Sequence, residues 1–162
     1  MLAYLDLHNT RDWYMRLVTN LQMSCTMAEN ESYGTSTLAA VRLLEGKRMD
    51  IVNLGDSGVL IFRLHPNKNE VYKIFRTEEQ YHTDGKSTKC GNSGQNAEMA
   101  DDEKVDLWDG DIAVVFTNGV SDNLSDERIK ECVEIFLKDG MIMDKKTAAS
   151  CIAVRSFAAS VN

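Results

Sequence analysis

Short apolar runs separated by turn-forming residues constrain the fold of this chain more than any other feature. Residues 35–44, 48–53, 58–64 and 71–76 are rich in β-branched and aliphatic side chains, and a glycine or a proline lies in each gap between them. Runs of this length with such gaps are typical of β-strands joined by tight turns. The pattern therefore predicts an antiparallel meander.

A β-hairpin is predicted nearer the carboxyl end. Val105 and Leu107, the turn Asp109-Gly110 and the apolar run 112–116 follow one another in the order that a hairpin requires. The run 112–116 is apolar on both faces, which is typical of a strand that is covered on each side. This strand is therefore predicted to lie centrally in its sheet.

The segment 77–103 separates the two groups of strands and has no clear periodicity. It contains Gly85, Gly91 and Gly94 among polar residues. Connections without secondary structure of their own rarely exceed about 15 residues. We therefore predict a long flexible loop here, either a mobile flap or a functional loop.

Three segments have helical features, and helices are predicted over 10–28, 127–137 and 144–158. In the first, apolar residues recur at every fourth position, namely Trp13, Leu17, Leu21 and Cys25. Ser125 is a typical N-cap for the second helix, and the third is rich in alanine. Helices with an antiparallel sheet of about six strands indicate the α+β class. The length of 162 residues suits a single domain over residues 1–162.

Composition and charge exclude several classes of function. The net charge is −7 and no basic cluster is present, so direct contact with nucleic acid is not expected. No apolar stretch reaches the roughly 18 residues of a membrane span, so no membrane association is expected. The four cysteines lack zinc-site spacing and are predicted to be buried free thiols in a reducing compartment. The acidic residues between Asp101 and Asp111 are interpreted as a solvated loop and hairpin edge.

Three stretches in a fixed order carry a family resemblance. Gly34-Thr35-Ser36-Thr37 opens a strand, and Asn53-Leu54-Gly55-Asp56-Ser57-Gly58 lies at a turn. Asp109-Gly110-Asp111 precedes the third stretch, 116–123. The set resembles the motifs of the protein phosphatase 2C family, the metal-dependent Ser/Thr protein phosphatases. This resemblance implies a reduced version of the family's β-sandwich, with antiparallel sheet flanked by helices.

The resemblance also suggests a location. Gly58, together with the run 78–82, is most similar to the subgroup that is often found in mitochondria. A mitochondrial location is therefore expected, and a cytoplasmic one otherwise.

The resemblance assigns metal-binding positions to Asp56, Asn118 and Asp122. Family members hold two or more Mg²⁺ or Mn²⁺ ions that activate a water for attack on a phosphoester. Asn118 stands where the family has an aspartate, and an amide cannot offset the charge of a dication. We expect remnant positions only, with no catalytic or cofactor-binding residues and at most one weakly bound Mg²⁺ or Mn²⁺. Equally, Asp56 and Asp122 could hold turns without any ion.

Two further motifs of the family have no match here. The family's first metal motif, an acidic pair followed by a glycine-containing stretch, has no match around Asp6. The family's last metal-binding aspartate has no match after Ala158. The chain is therefore expected to be a truncated and degenerate member. The competing interpretation is that the chain is a middle piece of the family's domain, whose missing strands are supplied by further sequence or by another chain.

Two functions of different class follow. The first is a pseudophosphatase, a catalytically inactive scaffold or regulatory subunit of a protein assembly. The alternative is an active metal-dependent protein serine/threonine phosphatase, or a fragment of one, that hydrolyses phosphoserine and phosphothreonine. Exposed sheet edges template pairing with other chains, so other proteins are expected as partners that cover such edges.

Overall fold

The computed structural model describes residues 10–31, 34–66, 70–91, 97–138, 141–142 and 144–161. The chain divides into two compact units. The first unit is the chain up to Asp56 together with Glu79–Asp106, and the second is Ser57–Glu78 together with the chain from Leu107 onward. Folding of the two units as a single domain over residues 1–162 stays a prediction.

Helices and antiparallel strands both occur, so the predicted α+β class is confirmed. The helices are α1 Thr10–Glu31, α2 Asn118–Ser121, α3 Asp126–Glu134 and α4 Lys145–Ser160. The strands are β1 Thr35–Ser36, β2 Leu38–Leu44, β3 Arg48–Leu54, β4 Gly58–Leu64, β5 Val71–Arg76, β6 Cys90–Gly91, β7 Asp101–Asp106, β8 Ile112–Phe116, β9 Leu137–Lys138 and β10 Met141–Ile142. A single 3₁₀ turn, Ala97–Met99, precedes β7. Within the described residues, no helix has both the length and the hydrophobicity that a membrane crossing requires.

The first unit contains an antiparallel sheet with the strand order β2-β3-β7, and α1 packs on it. Val18 and Cys25 of α1 are buried in one core with Val52 and Leu54 of β3. The predicted apolar stripe of α1 is confirmed, because its remaining members pack against this core: Trp13, Leu17 and Leu21. Burial of such a stripe stabilises a helix more than its intrinsic propensity does.

Two side chains fix α1 against the 3₁₀ turn. The Tyr14 hydroxyl donates to the carbonyl oxygen of Ala100 at 3.0 Å, and Oε1 of Gln22 accepts from the backbone N–H of Ala97 at 2.8 Å. Burial, followed by the nearby Asp102 carboxylate, raises the pKa of Tyr14. The phenol therefore stays protonated and remains a donor at neutral pH.

The second unit contains the antiparallel sheet β5-β4-β8 and three helices. Leu60 and Phe62 of β4 share a core with α3 and α4. The helical members of this core are Ile129, Cys132, Val133 and Ile152. The strands β9 and β10 form a separate two-stranded ladder.

The predicted start of α3 is confirmed by its cap. The Ser125 side chain accepts from the backbone N–H of Arg128. The helix ends at Glu134, three residues before the predicted end at 137, because the chain turns into β9 at Leu137. Helix α4 begins after Asp144, whose carboxylate accepts from the backbone N–H of Thr147 at 3.0 Å. Hydrogen bonds from Thr147 lower the pKa of Asp144.

The predicted meander is confirmed in two of its three links, because β2 pairs with β3 and β4 pairs with β5, but its middle link and the predicted hairpin over 105–116 are wrong. The strand β3 pairs with β2 and β7, whereas β4 pairs with β5 and β8. The turn at Gly55-Asp56-Ser57 therefore joins strands of different sheets, as does the segment 107–111 between β7 and β8. Alternation and turn residues identify strands, but they do not specify which strands pair.

The prediction that strand 112–116 is central is also wrong for the described part of the chain. There β8 pairs with β4 alone, so it lies at the edge of its sheet. Ala113 is exposed, and Val115 is 46% exposed. The central strands are β3 and β4, which are almost wholly buried. A strand's position depends on its neighbours in space, which its own sequence does not contain.

The predicted loop over 77–103 contains more regular structure than its sequence indicated. Strand β6 pairs with β1, and β7 begins at Asp101, so the upper bound of the loop is wrong by three residues. The start of β7 is charged and exposed, and it therefore lacks the apolar alternation by which strands are recognised. Flexibility of the segment stays a prediction.

The four cysteines form two disulfides, which corrects the prediction of free thiols. Cys25 of α1 is bonded to Cys90 of β6, and Cys132 of α3 is bonded to Cys151 of α4. The spacing of the cysteines in the sequence did not indicate these two bonds, because the bonded partners are 65 and 19 residues apart. Disulfides form and persist in oxidising environments.

Candidate functional site

The carboxylate of Asp56 lies in the turn that follows β3. The residue is 7% exposed. Its Oδ1 is buried and accepts no hydrogen bond within the described part of the chain. A buried carboxylate oxygen without a donor is costly unless a positive charge compensates it. A cation could compensate this oxygen, and the metal role that the resemblance assigned to Asp56 stays a prediction.

Gly55 gives this turn its shape. Its φ is +89°, a conformation that side chains disfavour. A Cβ atom at this position would lie 2.3 Å from the carbonyl oxygen of Thr88 and 2.6 Å from Cγ2 of Thr37. Only glycine fits here, so the glycine before Asp56 is required by the backbone of the first unit.

Gln80 holds the same turn from a distant part of the sequence. Oε1 of Gln80 accepts from the backbone N–H of Gly55 at 2.8 Å, and the backbone N–H of Gln80 donates to the carbonyl oxygen of Gly55 at 3.0 Å. Its Nε2 donates to Oδ2 of Asp101 at 2.7 Å. Sequence analysis missed this residue, because Gln80 is 25 positions from Gly55 and carries no local signal.

Replacement of Gly55 by alanine is expected to lower the free energy of unfolding of the first unit by about 3 kcal/mol, since the strained φ and the steric overlap each contribute about 1–2 kcal/mol. Gly46→Ala is the matched control. Gly46 has a φ of +82°, but no atom lies within 4 Å of its hypothetical Cβ. It should therefore cost only about 1 kcal/mol. Urea unfolding measures the free energy of unfolding of both variants. Equal losses of stability in the two would show that the steric overlap at Gly55 contributes little.

Asn118 and Asp122 lie at the two ends of the short helix α2 in the second unit. Asn118 is its first residue, and Asp122 is the residue that follows it. The backbone N–H of Asp122 donates to the carbonyl oxygen of Asn118 at 2.8 Å. Asn118 is half-buried and Asp122 is exposed. The turn is thus closed by backbone atoms, and a role for the two side chains, with or without an ion, stays a prediction.

The three predicted metal positions offer few oxygen ligands. They supply a buried carboxylate from Asp56, a neutral amide from Asn118 and an exposed carboxylate from Asp122. In the ranges that the structure describes, no three His, Cys, Asp or Glu residues form a group that could hold an ion. Two adjacent dications require several carboxylates. Ion binding at Asp56 and at the other two positions stays a prediction.

The segment that precedes the third motif contributes to a partly buried ion pair. Oδ1 and Oδ2 of Asp111 accept from Nε and Nη2 of Arg63 at 2.9 and 2.7 Å. The guanidinium also lies over the ring of Trp108, 4.1 Å from its centroid. The hydrogen bond with Asp111 raises the pKa of Arg63. The expectation of a solvated acidic stretch is therefore wrong for Asp111, whose side chain is 2% exposed.

Comparison with known proteins supports the resemblance to the protein phosphatase 2C family. No family profile matches the chain. The probable protein phosphatase 2C 80 of Arabidopsis thaliana is 30% identical over 128 residues, which are 78% of this chain and 29% of that protein. The chain thus spans less than a third of the length of this curated relative.

Solved structures share the fold. The photosystem II phosphatase PBCP has a TM-score of 0.64 at 23% identity, over 88% of this chain and 53% of that one. The catalytic domain of the serine/threonine protein phosphatase PstP, solved with two manganese ions, has a TM-score of 0.64 at 17% identity, over 98% of this chain and 68% of that one.

The α+β fold, with a carboxylate on a glycine-dependent turn after β3, places the chain in the structural class of the solved serine/threonine phosphatases. Within this class, one family is indicated by the three ordered motifs and by the similarity to the Arabidopsis thaliana protein. The chain belongs to the protein phosphatase 2C family.

Proposed function

We propose that this chain is a catalytically inactive member of the protein phosphatase 2C family, a scaffold or regulatory subunit that acts by binding other proteins. The observation that carries the proposal is Asn118, an amide where the family has a metal-binding aspartate. A neutral ligand contributes an oxygen but no negative charge.

A specific observation favours the second candidate, an active metal-dependent protein serine/threonine phosphatase or a fragment of one. The buried Oδ1 of Asp56 has no hydrogen-bond donor within the described part of the chain. A single Mg²⁺ or Mn²⁺ would compensate this charge. When bound, such ions supply an activated water for hydrolysis in the family. Asp56 would hold one ion weakly, which does not by itself support that chemistry.

An activity assay separates the two candidates. The purified chain is expected to hydrolyse a phosphothreonine peptide in Mn²⁺ no faster than the metal-free control, because the charge needed to hold two ions is absent. Asn118→Asp is expected to leave this result unchanged, since one added carboxylate does not complete a two-ion cluster. An active 2C-type phosphatase serves as the positive control.

Calorimetric titration with Mn²⁺ gives an independent readout. At most one weak ion should bind, and Asp56→Asn, which keeps the size of the side chain, should remove it. Two ions bound at micromolar affinity would contradict the proposal. Mn²⁺-dependent turnover that Asp56→Ala abolishes would also contradict it and would favour the active enzyme.

Partners and location belong to the same proposal. Partner proteins that cover free sheet edges are supported by the edge position of β8 within the described residues. A mitochondrial location is supported by the motif resemblance. The two disulfides favour an oxidising compartment of such an organelle over a reducing one.

A further inference from the structure

Asn118 and Gly119 form the single Asn-Gly dipeptide in this sequence. Asparagine is a chemically labile residue, because the next backbone nitrogen can attack the carbon of its side-chain amide. A glycine in the next position favours this attack, since it has no Cβ that crowds the nitrogen or restricts the backbone. The chemistry of this dipeptide therefore bears on the position where the family has an aspartate.

No hydrogen bond fixes the side-chain amide of Asn118 within the described part of the chain. The hydrogen bonds of this residue are formed by its backbone carbonyl oxygen, which accepts from the N–H of Asp122 at 2.8 Å and from the hydroxyl of Ser121 at 3.4 Å. The residue is also only half-buried. Its side chain can therefore turn toward Gly119.

The backbone nitrogen of Gly119 is accessible as well. Gly119 is the second residue of α2, and the first N–H groups of a helix have no partner within the helix. Thr117 provides no side-chain cap, and the Gly119 N–H donates to no group among the described residues. Gly119 is exposed, and the atom nearest to its hypothetical Cβ is Oγ1 of Thr117, 3.8 Å away. Solvent can therefore reach the nitrogen.

The turn that contains this dipeptide is short. Helix α2 has four residues, and a single helical turn is not stable by itself. One backbone hydrogen bond that spans the dipeptide runs from the N–H of Val120 to the carbonyl oxygen of Thr117 at 2.9 Å. The other is the bond from Asp122 to Asn118. Attack requires rotation about the Cα–C bond of Asn118, which breaks both bonds, so the fold slows the reaction without preventing it.

We propose that Asn118 is a site of spontaneous deamidation, which converts its amide into a carboxylate in a fraction of the chains. The Gly119 nitrogen bonds to Cγ of Asn118, the Cγ–Nδ2 bond breaks, and the proton of the attacking nitrogen leaves with the amide group as ammonia. Water then opens the succinimide ring at one of its two C–N bonds. Cleavage at Cγ gives aspartate, and cleavage at the backbone carbonyl carbon gives isoaspartate.

The two products differ in their effect on the turn. Aspartate keeps the backbone of α2 and adds the negative charge that the family has at this position. Isoaspartate adds a methylene group to the main chain, so the hydrogen bond from Asp122 to residue 118 loses its present geometry. Chains with an amide, an aspartate or an isoaspartate therefore coexist in aged protein. The inference concerns a reaction of the chain itself and does not rest on the proposed loss of phosphatase activity.

Peptide mapping of the intact chain during prolonged incubation at physiological temperature tests the proposal. Trypsin releases residues 105–128 as one peptide, which contains both Asn118 and Asn123. Fragmentation mass spectrometry assigns the mass gain from amide to acid to one of the two. Deamidation is expected at Asn118, and roughly tenfold more slowly at Asn123, which is followed by leucine. Asn118→Asp supplies the mass and elution standard for the aspartate product.

Gly119→Ala is the matched variant, and it should slow deamidation of Asn118 roughly tenfold. The variant is expected to fold, because Gly119 does not have a positive φ and a Cβ has space there. Unfolding in urea should accelerate the reaction of the parent chain roughly thirtyfold, since the two hydrogen bonds that span the dipeptide are then open. The variant should remain slower than the parent chain in urea, where helix stability no longer contributes.

The opposite results would overturn the proposal. No mass gain at Asn118 in the folded chain would show that α2 protects the dipeptide, whatever the unfolded chain does. Equal rates at Asn118 and Asn123 would show that the following glycine is not the cause. Equal rates in the parent chain and in Gly119→Ala, both in urea, would exclude the proposed attack by an unhindered glycine nitrogen.

Discussion

Removal of the Cys25–Cys90 disulfide is expected to lower the free energy of unfolding of the first unit by about 4 kcal/mol, according to the loop-entropy relation. The two cysteines are 65 residues apart in sequence. A bond that closes so long a loop strongly restricts the unfolded chain. Both residues are also buried in the core beneath α1. The bond therefore ties α1 to β6 as well as limiting the unfolded state.

Urea unfolding of the double variant Cys25→Ala/Cys90→Ala measures this loss. The chain has two tryptophans, Trp13 in the first unit and Trp108 in the second, so fluorescence can report on each unit. Cys132→Ala/Cys151→Ala is the matched control. Its loop spans only 19 residues, so about 3 kcal/mol should be lost, and from the second unit. Four reactive thiols in the denatured protein without reductant would contradict both disulfides.

Replacement of Asp111 by alanine is expected to lower the free energy of unfolding of the second unit by about 2–3 kcal/mol, since it removes charge-assisted hydrogen bonds from a partly buried guanidinium. The side chains of Asp111 and Arg63 are only 2% and 14% exposed. Asp111 also accepts from the backbone N–H of Trp108 at 2.7 Å. The substitution therefore removes both the ion pair and the hydrogen bond that holds the turn before β8.

A double variant distinguishes charge from packing. Arg63→Met added to Asp111→Ala removes the guanidinium as well and should recover about half of the loss or more, because apolar replacements of buried ion pairs are often tolerated. Glu127→Ala is the control, since Glu127 is 80% exposed and lies 3.9 Å from Lys130. It should change stability by less than about 0.5 kcal/mol. If the double variant is as unstable as Asp111→Ala, the remaining guanidinium is not the cause.

The sites differ in how far their roles could be predicted. Asp56 was identified from its motif, and the structure adds its burial and its unpartnered oxygen. Asp111 was placed in a solvated stretch, whereas its role depends on Arg63, which is 48 residues away. Gln80 was noted only as part of a similar run, although it holds the turn beside Asp56. Local spacing predicts which residues form a turn, but not which distant side chain stabilises it.

The α+β class, the apolar stripe of α1 and the cap at Ser125 could be predicted from the sequence, because each depends on residues only a few positions apart, and the amide at Asn118 is visible at a single position. Three features could be learned only from the folded structure: the pairing of the strands, the edge position of β8 in the described sheet, and the bonding of the cysteines. Those features depend on contacts between residues tens of positions apart. A chain's local pattern specifies its own backbone conformation and buried face, but not the neighbour that covers that face.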